Sequence, residues 1–235
     1  MVGCSKIDDD AYTIKNYPND VAAEIKDYNF KTFCITRYDL NGDQKISKSE
    51  ALQVDEMDIR NLEISDIYGI QYFSNLKSLY CYSCEKLTSV DLRWNKKLID
   101  IRMPYCFELQ DVQLNDNLPE IKDGAFEECR KLQKIIIPNS VTYIGEQAFH
   151  NCYSLISILI PKNVSSLGLR VFNGCQKLET ISCERITPPT MYGQIAGFGT
   201  CKALSKIYVP KESVDAYKSV SGWSFYDSII EGYDF

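Results

Sequence analysis

Hydrophobic residues recur along this chain at a fixed interval. The pattern Ala/Val-Phe-x-x-Cys, followed by Leu-x-x-Ile, begins at Ala125, Ala148 and Val171, and successive copies start 23 residues apart. A fourth, less regular copy runs over residues 198–207. Self-similarity at this period predicts a stacked solenoid, in which each unit buries its apolar face against its neighbours. Such chains usually work as binding surfaces and seldom as catalysts.

Shorter units precede these copies. Leu76, Leu87, Leu98 and Leu109 lie 11 residues apart, and each begins a pattern in which every second residue is apolar. This alternation is the signal of a half-buried strand. Because 11 is about half of the longer period, we expect each full coil to carry two strands on opposite sides.

The segments between the strands complete the predicted fold class. Ala-Phe-x-x-Cys is suited to a short helical turn whose Phe packs under the strands. The fold is therefore predicted to be α/β: a strand-dominated solenoid with short helical turns, preceded by a small helical module.

Four regions follow from these patterns. We expect an unstructured tether over residues 1–20, a small helical module over 21–60, the solenoid over 61–210 and a C-terminal cap over 211–235. The stretch 187–200 contains two prolines and three glycines and breaks the period, so it is interpreted as a loop inside one coil. The final region is aromatic-rich and non-repetitive, as expected of a segment that covers the end of a solenoid.

Composition and charge exclude several classes of function. The chain has 235 residues, of which 45% are hydrophobic, so it can bury a sizeable core. Its formal net charge is −6 and it has no Lys/Arg cluster, so a nucleic-acid partner is not expected. Its single histidine removes most His-dependent catalysis and most zinc chemistry. The longest apolar run, Leu155–Pro161, is too short to cross a bilayer, so contact with a membrane would be through a lipid anchor.

The ten cysteines would suggest a disulfide framework in an exported protein. Four of them occupy one repeat position: Cys129, Cys152, Cys175 and Cys201. That periodicity favours a ladder of buried thiols, in which cysteine acts as a small hydrophobe. Cys81 and Cys84 form a C-x-x-C pair that also fits the repeat register. A metal or redox role for this pair is the alternative, although no second pair or nearby histidine completes a zinc site.

An acidic loop before the repeats matches the spacing of a calcium-binding loop. A 12-residue calcium loop takes side-chain oxygens at positions 1, 3, 5, 9 and 12 and a backbone carbonyl at position 7. The residues at positions 1, 3, 5, 7, 9 and 12 are Asp39, Asn41, Asp43, Lys45, Ser47 and Glu50. We expect a helix with a Phe30–Arg37 stripe before the loop and a second helix over Glu50–Met57 after it. The predicted cofactor is calcium.

One position departs from the pattern of that loop. Position 6 is Gln44, where glycine usually supplies a positive φ, and a non-glycine residue there costs roughly 1 kcal/mol. We expect this to weaken calcium affinity without abolishing it. The alternative is that residues 39–43 form only a polar turn, with Ser47 and Glu50 acting as a helix capping box.

The repeats resemble those of the BspA-like leucine-rich-repeat family of surface proteins. The residues that carry the resemblance are the run Ile137–Cys152, followed by Leu155-x-x-Ile158-x-Ile160-Pro161, and the match covers roughly residues 76–210. The earlier 11-residue units depart from this form. The resemblance implies a leucine-rich-repeat solenoid that is extracellular, non-enzymatic and adhesin-like, with a protein as its partner. The acidic loop is similar to single EF-hand modules that precede repeats in related surface proteins, so the module over 21–60 is interpreted as EF-hand-like.

The predicted partner-binding surface lies on one side of the solenoid. There, the residue four positions after each leading leucine should point outward, and this row includes Ile136, Leu159 and Tyr208. Ile136 and Leu159 fall in successive coils, which makes them a candidate apolar patch for a protein partner, with Tyr208 at its edge. The alternative is that β-propensity alone explains these aliphatic residues, or that the 187–200 loop or a cap covers them.

Two rival functions compete with protein binding. Tyr82, Trp94 and Tyr105 lie at corners between strands and could stack on a glycan if they share one exposed edge. Asp91 and Asp111 could be paired carboxylates of a hydrolase, but they fall in different outward columns and nothing in the sequence indicates a cleft. A deep pocket with a perturbed carboxylate would be needed to support catalysis.

The first residues bear on where the protein is located. Met1–Ser5 resembles the end of a lipobox, with Cys4 as the lipidated residue, although no hydrophobic signal stretch precedes it. The expectation is an exported cell-surface or outer-membrane lipoprotein. The alternative is that Cys4 is an ordinary residue in a disordered tail.

Overall fold

The computed structural model describes residues 17–193 and 197–235 of the chain. Four short α-helices lie at its two ends: α1 Val21–Glu24, α2 Tyr28–Tyr38, α3 Lys48–Ala51 and α4 Val214–Ser219. Three 3-10 segments accompany them: Ile70–Tyr72, Lys211–Ser213 and Ser224–Ile229. Everything between the two ends is a stack of short strands and tight turns.

Thirteen short strands form the sides of the solenoid in the described part of the chain. In chain order they are β1 Glu56–Asp58, β2 Ser78–Tyr80, β3 Ser89–Asp91, β4 Asp100–Arg102, β5 Asp111–Gln113, β6 Glu120–Ile121, β7 Tyr143–Ile144, β8 Ser157–Ile160, β9 Ser166–Leu167, β10 Thr180–Cys183, β11 Thr190–Met191, β12 Lys206–Pro210 and β13 Ile230–Tyr233. All of their pairings are parallel, as a coil that returns to the same side requires.

The strands divide into two faces, named here face one and face two. Face one contains the sheets β1-β2-β4 and β6-β7-β9-β11. Face two contains β3-β5 and β8-β10-β12-β13. Successive strands from β2 to β5 alternate between the faces, which confirms that units of 11 residues are half-coils. The fold is therefore that of a leucine-rich-repeat solenoid.

The interior is built from columns of equivalent residues. The leading leucines and the apolar residues of each strand are buried in one continuous core that runs from Val21 to Ile230. Phe126, Phe149 and Phe172 stack under the strands, with ring centroids 5.4 and 5.3 Å apart and nearly parallel planes. Offset stacking of this kind adds about 0.5–1.5 kcal/mol per pair to the burial of the rings themselves.

The Ala-Phe-x-x-Cys segments are turns, and the expected short helices are not found there. The residue before the cysteine has a left-handed backbone in successive coils, with φ of 60° at Glu128, 59° at Asn151 and 83° at Gly174. A left-handed residue ends any helical run and reverses the chain direction. The next strand can therefore begin within a few residues of the cysteine.

The N-terminal end differs from the expected helical module. Helix α3 ends at Ala51, so the helix expected over Glu50–Met57 is wrong. Glu56–Asp58 is instead the strand β1, which pairs with β2 and begins the sheet of face one before residue 61. Tyr17 also contacts the fold, because its hydroxyl donates a hydrogen bond to the Tyr72 carbonyl at 2.8 Å. The rest of the predicted tether, residues 1–16, lies outside the described residues.

The C-terminal end is closed by residues 211–235. Tyr217 and Trp223 are fully buried, with ring centroids 4.9 Å apart, and the Trp223 indole donates a hydrogen bond to the Pro189 carbonyl at 2.8 Å. Strand β13 then pairs with β12 and adds one more strand to face two. This segment both covers the core and lengthens the sheet.

Two glycines lie where adjacent coils approach most closely. A Cβ on Gly168 would lie 2.2 Å from the Glu146 backbone nitrogen, and one on Gly145 would lie 2.5 Å from the Asp123 nitrogen. The amide of each glycine donates to a carbonyl of the preceding coil. A side chain at either position would push two coils apart.

We expect Gly168→Ala to destabilise the solenoid by about 1–3 kcal/mol, because the added methyl group meets backbone atoms that cannot move aside. Urea unfolding followed by circular dichroism measures the change. Lys177→Ala, an exposed position on another coil, is the control and should change stability by less than about 0.5 kcal/mol. Equal stability of the Gly168→Ala variant and the parent would contradict the close approach of these coils.

Candidate functional site

The acidic loop takes the turn that its spacing predicts. The Asp39 carboxylate accepts hydrogen bonds from the backbone N–H groups of Gly42 and Gln44, both at 2.8 Å. Gln44 has φ of 64°, so it adopts the left-handed conformation expected at position 6 although it is not glycine. Asn41 and Asp43 each accept a hydrogen bond from the amide two residues later. The loop is thus ordered by its own side chains.

The same loop contains the helix capping box of the alternative interpretation. The Glu50 carboxylate accepts from the Ser47 backbone N–H at 2.8 Å and from its hydroxyl at 2.7 Å, and the Ser47 oxygen accepts from the Glu50 N–H. The other Glu50 oxygen accepts from the amides of Leu40 and Asn41. These hydrogen bonds, the one from the Ser47 hydroxyl foremost, lower the pKa of Glu50.

The loop is also joined to the first helix. Ile46 is fully buried, its carbonyl accepts from the Val21 amide at 2.8 Å, and its own amide donates to the Asp20 carboxylate at 3.1 Å. Within residues 17–193 and 197–235, no three His, Cys, Asp or Glu side chains form a group suited to a metal ion. Calcium would therefore require the hydrogen-bonded side chains of this loop to turn toward a common centre.

The outward row of face two includes the three predicted partner-binding residues. Ile136 is 63% exposed and Leu159 is 43% exposed, so neither the described part of the 187–200 loop nor the cap covers them. Leu159 is in register with Ser182, and Ser182 with Tyr208. Tyr208 is half-buried against the ring of Tyr233, with centroids 5.4 Å apart. The two aliphatic residues are therefore a free surface, and Tyr208 belongs to a separate aromatic cluster.

A third exposed aliphatic residue extends this surface. Ile156 is 45% exposed, and its amide donates to the Gln133 carbonyl of the preceding coil at 3.2 Å. It follows the leading leucine directly, at a position that is polar in the adjoining copies, namely Gln133 and Glu179. That departure from its neighbours was the signal in the sequence, and it was overlooked. Ile136, Ile156 and Leu159 together are named the aliphatic patch below.

The corner aromatics do not share one edge. Tyr82 and Tyr105 lie at corners that lead from face one to face two, whereas Trp94 lies between β3 and β4, at a corner that leads back. Tyr82 is half-buried with the Arg60 guanidinium 5.6 Å from its ring centroid, and Tyr105 is 40% exposed. A sugar could not stack on all three rings together, so this arrangement does not favour a glycan site.

The candidate catalytic carboxylates have structural partners. Asp91 forms an ion pair with Arg93 at 2.7 Å, and Asp111 accepts a hydrogen bond from Gln113 at 2.8 Å. Burial acts to raise the pKa of Asp91, but the hydrogen bonds and charge of Arg93 lower it overall. A general acid would need a raised pKa, so this carboxylate is not prepared for that role.

The cysteines form the expected ladder and extend it toward the N-terminus. Each thiol of the ladder donates a hydrogen bond to a carbonyl of the preceding coil, at distances of 3.0 to 3.3 Å. The members are Cys84, Cys106, Cys129, Cys152, Cys175 and Cys201. Cys81 and Cys84 are both fully buried, and the Cys84 thiol is already bonded to the Ile59 carbonyl. The C-x-x-C pair thus serves the core in the same way as the later cysteines.

We expect these thiols to be inert in the folded protein. Burial raises the pKa of Cys129 and Cys152 well above the usual value and that of Cys183 to about 11, so near neutral pH they stay protonated and unreactive. In a Cys4→Ala background, labelling with an uncharged maleimide followed by mass spectrometry should modify Cys201 first, because it is only half-buried.

Denaturation in urea supplies the control for this labelling, since every thiol should then react. Fast labelling of Cys81 or Cys84 in the folded protein would contradict a purely structural role and favour redox chemistry at that pair.

Comparison with known proteins agrees with the repeat architecture. The family model described as BspA type leucine rich repeat region, in six copies, matches residues 74–188 and 103–231, more than half of the chain. No curated protein matches this chain. No helix in the described part of the chain is both long and apolar enough to span a membrane.

Several solved structures are similar to this chain. A leucine-rich repeat protein from Bacteroides ovatus is 25% identical with a TM-score of 0.44, and the match covers 66% of this chain and 47% of that one. A leucine rich cell surface protein from Faecalibacterium prausnitzii is 21% identical with a TM-score of 0.38, covering 60% and 54%. The leucine-rich repeat protein of T. pallidum is 22% identical with a TM-score of 0.37, covering 58% and 60%. The match thus spans between 47% and 60% of the length of these structures.

Proposed function

Because this chain belongs to the BspA-type leucine-rich repeat family, we propose that it is an exported, surface-attached protein that binds other proteins in an adhesin-like manner and carries out no catalysis. Membership of this family suggests a role in protein interaction. The observation that carries the proposal is the aliphatic patch, since three exposed branched side chains lie together on the regular sheet of face two. A solute-exposed apolar cluster of this kind marks a protein-binding surface.

The geometry of the patch suits a protein partner. Ile136 and Leu159 lie at equivalent positions of adjacent coils, so their backbones are about 4.8 Å apart, the spacing of neighbouring strands. The backbone beneath Leu159 is held by parallel pairing of β8 with β10, so the side chain is presented without a large loss of conformational freedom on binding. Fully burying one such side chain contributes about 1.5–3 kcal/mol.

Attachment to the cell surface is proposed through a lipid on Cys4. That residue lies outside the described part of the chain, so the support is the sequence Met1–Ser5 alone. One lipid chain gives only marginal membrane binding. A second contact with the cell envelope or with a partner would therefore strengthen the attachment.

We expect Ile136→Asp/Leu159→Asp to abolish partner binding while the protein stays folded, because buried carboxylates would have to be desolvated at the contact. The measurement is binding of the chain to an array of immobilised extracellular matrix proteins, with a loss of about 100-fold or more in affinity at any protein that the parent binds. Circular dichroism and thermal unfolding establish that the variant is folded.

A matched control separates the patch from a general effect of charge. Ile99→Asp/Tyr28→Asp also replaces two exposed hydrophobic residues and adds the same charge, but away from the patch, so binding should be retained. Unchanged binding by the folded Ile136→Asp/Leu159→Asp variant would sink the proposal for this face. Binding to immobilised glycans alone would instead favour a carbohydrate-binding protein.

Calcium is proposed as a structural ion of the acidic loop. The support is the all-oxygen donor set of Asp39, Asn41, Asp43, Ser47 and Glu50 with the Lys45 carbonyl, and the left-handed backbone already present at Gln44. When bound, the ion would neutralise these carboxylates and fix the loop. Because Ile46 ties the loop to the first helix, the ion would stabilise the N-terminal end of the solenoid.

We expect calcium to raise the unfolding temperature. With a dissociation constant of about 1 mM, as in weak extracellular loops, about 10 mM calcium adds about 1.4 kcal/mol and raises the unfolding midpoint by about 4 °C. Differential scanning fluorimetry measures the shift, and about 10 mM magnesium is the ionic control because Mg²⁺ demands a smaller octahedral site.

Variants of the loop test the assignment of ligands. Asp39→Asn/Asp43→Asn should remove the calcium-dependent shift, whereas Asp116→Asn/Asp227→Asn, at exposed positions on other coils, should keep it. An unfolding midpoint of the parent that does not move with calcium would contradict the proposal and leave the loop as a polar turn with a capping box.

A further inference from the structure

A groove lies between helix α2 and the first strand of face one. It has a volume of about 840 Å³, with Thr32, Phe33 and Thr36 on the helix side and Asp58, Leu62 and Glu63 on the strand side. The Asn29 side chain closes one end by donating to the Glu63 carbonyl at 2.7 Å. The Tyr38 hydroxyl lies at the other end, donating to the Glu56 carbonyl at 3.4 Å. The groove is thus elongated along β1.

The strand wall of this groove is an unpaired sheet edge. Residues 55, 57 and 59 face β2, because the Asp55 carbonyl accepts from Ser78 N–H at 3.1 Å and Ile59 N–H donates to the Tyr80 carbonyl at 2.9 Å. Backbone groups alternate in direction along a strand, so those of Glu56 and Asp58 point into the groove. Among the described residues, β2 is the only strand that pairs with β1.

The chemistry of the groove selects a kind of ligand. Phe33 and Leu62 are half-buried and offer apolar contact from both walls. Glu56, Asp58 and Glu63 outnumber the single cation among the lining residues, Arg37. Asp58 is paired with Arg60 at 2.6 Å and Glu63 with Lys86 at 3.1 Å. The exposed Glu56 remains the least neutralised carboxylate of the strand wall, so the groove favours positive charge.

The opposite end of the solenoid lacks this arrangement. Strand β13 is also a sheet edge, but it carries the exposed Tyr233 and no helix forms a second wall beside its outer face. An edge strand with one open side invites nonspecific pairing, whereas an edge strand within a groove can select a segment by length and side chain.

We propose that this groove binds an extended, basic peptide segment of a partner protein, which adds as a strand to the edge of β1. Hydrogen bonds to the Glu56 and Asp58 backbone would supply the pairing, and alternate side chains of the peptide would contact Phe33 and Leu62. A lysine or arginine of the peptide would lie near Glu56. The site is distinct from the aliphatic patch of face two, so it does not rest on the proposed function of that patch.

The test uses the full chain and synthetic peptides of about seven residues, which span the groove when extended. The first peptide alternates valine and threonine between two terminal lysines, the second has terminal glutamates, and the third is the lysine peptide with alternate backbone amides methylated. Isothermal titration calorimetry measures affinity, with a dissociation constant of about 100 µM expected for the lysine peptide. The glutamate and methylated peptides should bind at least about tenfold more weakly.

Backbone hydrogen exchange gives a second readout. The amides of Glu56 and Asp58 should exchange freely in the unbound protein and become protected by the lysine peptide, because that peptide supplies their missing partners. A ligand held only by charge at the rim of the groove would leave these amides unprotected.

Two pairs of variants locate the binding. Thr36→Trp should fill the groove and abolish binding, whereas Lys177→Trp on a distant coil should not. Glu56→Arg should weaken the lysine peptide about tenfold, whereas Glu24→Arg, an exposed reversal outside the groove, should leave it unchanged. No binding of the lysine peptide at about 1 mM, equal binding of the methylated peptide, or binding that survives Thr36→Trp would each overturn the proposal.

Discussion

The structure depends on the main-chain hydrogen bonds that join each coil to the next. The amides of Thr142 and Ser165 donate to the coil before them at 2.9 Å, so the backbones stack at the spacing of parallel strands. At that spacing every column must contain residues that fit against copies of themselves. Flat rings satisfy this requirement, as Phe149 and Phe172 do with planes only 5° apart. Glycine satisfies it where the backbone itself is the neighbour, as at Gly168.

The cysteines follow from the same constraint. Each turn leaves a buried carbonyl that no backbone amide of the next coil reaches, and an unsatisfied carbonyl costs about 1–3 kcal/mol. The Cys152 thiol answers this by donating to the Phe126 carbonyl at 3.2 Å, and the Cys175 thiol to that of Phe149 at 3.1 Å. A thiol is small and apolar enough to repeat every coil and still offers one weak donor. Periodic cysteine therefore indicates packing here, with no need of disulfides.

Because the interior is so constrained, the outward positions carry the individuality of this chain. On face two, Leu159 lies between Ile136 and Ser182 in one outward column, so the aliphatic patch covers only part of the sheet. At the two ends the stack must be closed, and the closures differ. Trp223 and β13 complete the C-terminal end, whereas α2 stands away from β1 and leaves a groove beside an unpaired edge. Binding surfaces arise where repetition stops or varies.

The sequence by itself determined the repeat, the two strands in each coil, the thiol ladder and the exposure of Ile136 and Leu159, because each of these is a periodic property of one column. Tertiary structure alone decided what depends on the ends of the stack. Glu56–Asp58 became a strand although it was expected to be helical, since pairing with β2 outweighs local propensity. The left-handed turns replaced helical ones because the chain must return within one coil. The groove beside β1 was not visible in the sequence, because its two walls come from segments whose contact no periodicity encodes.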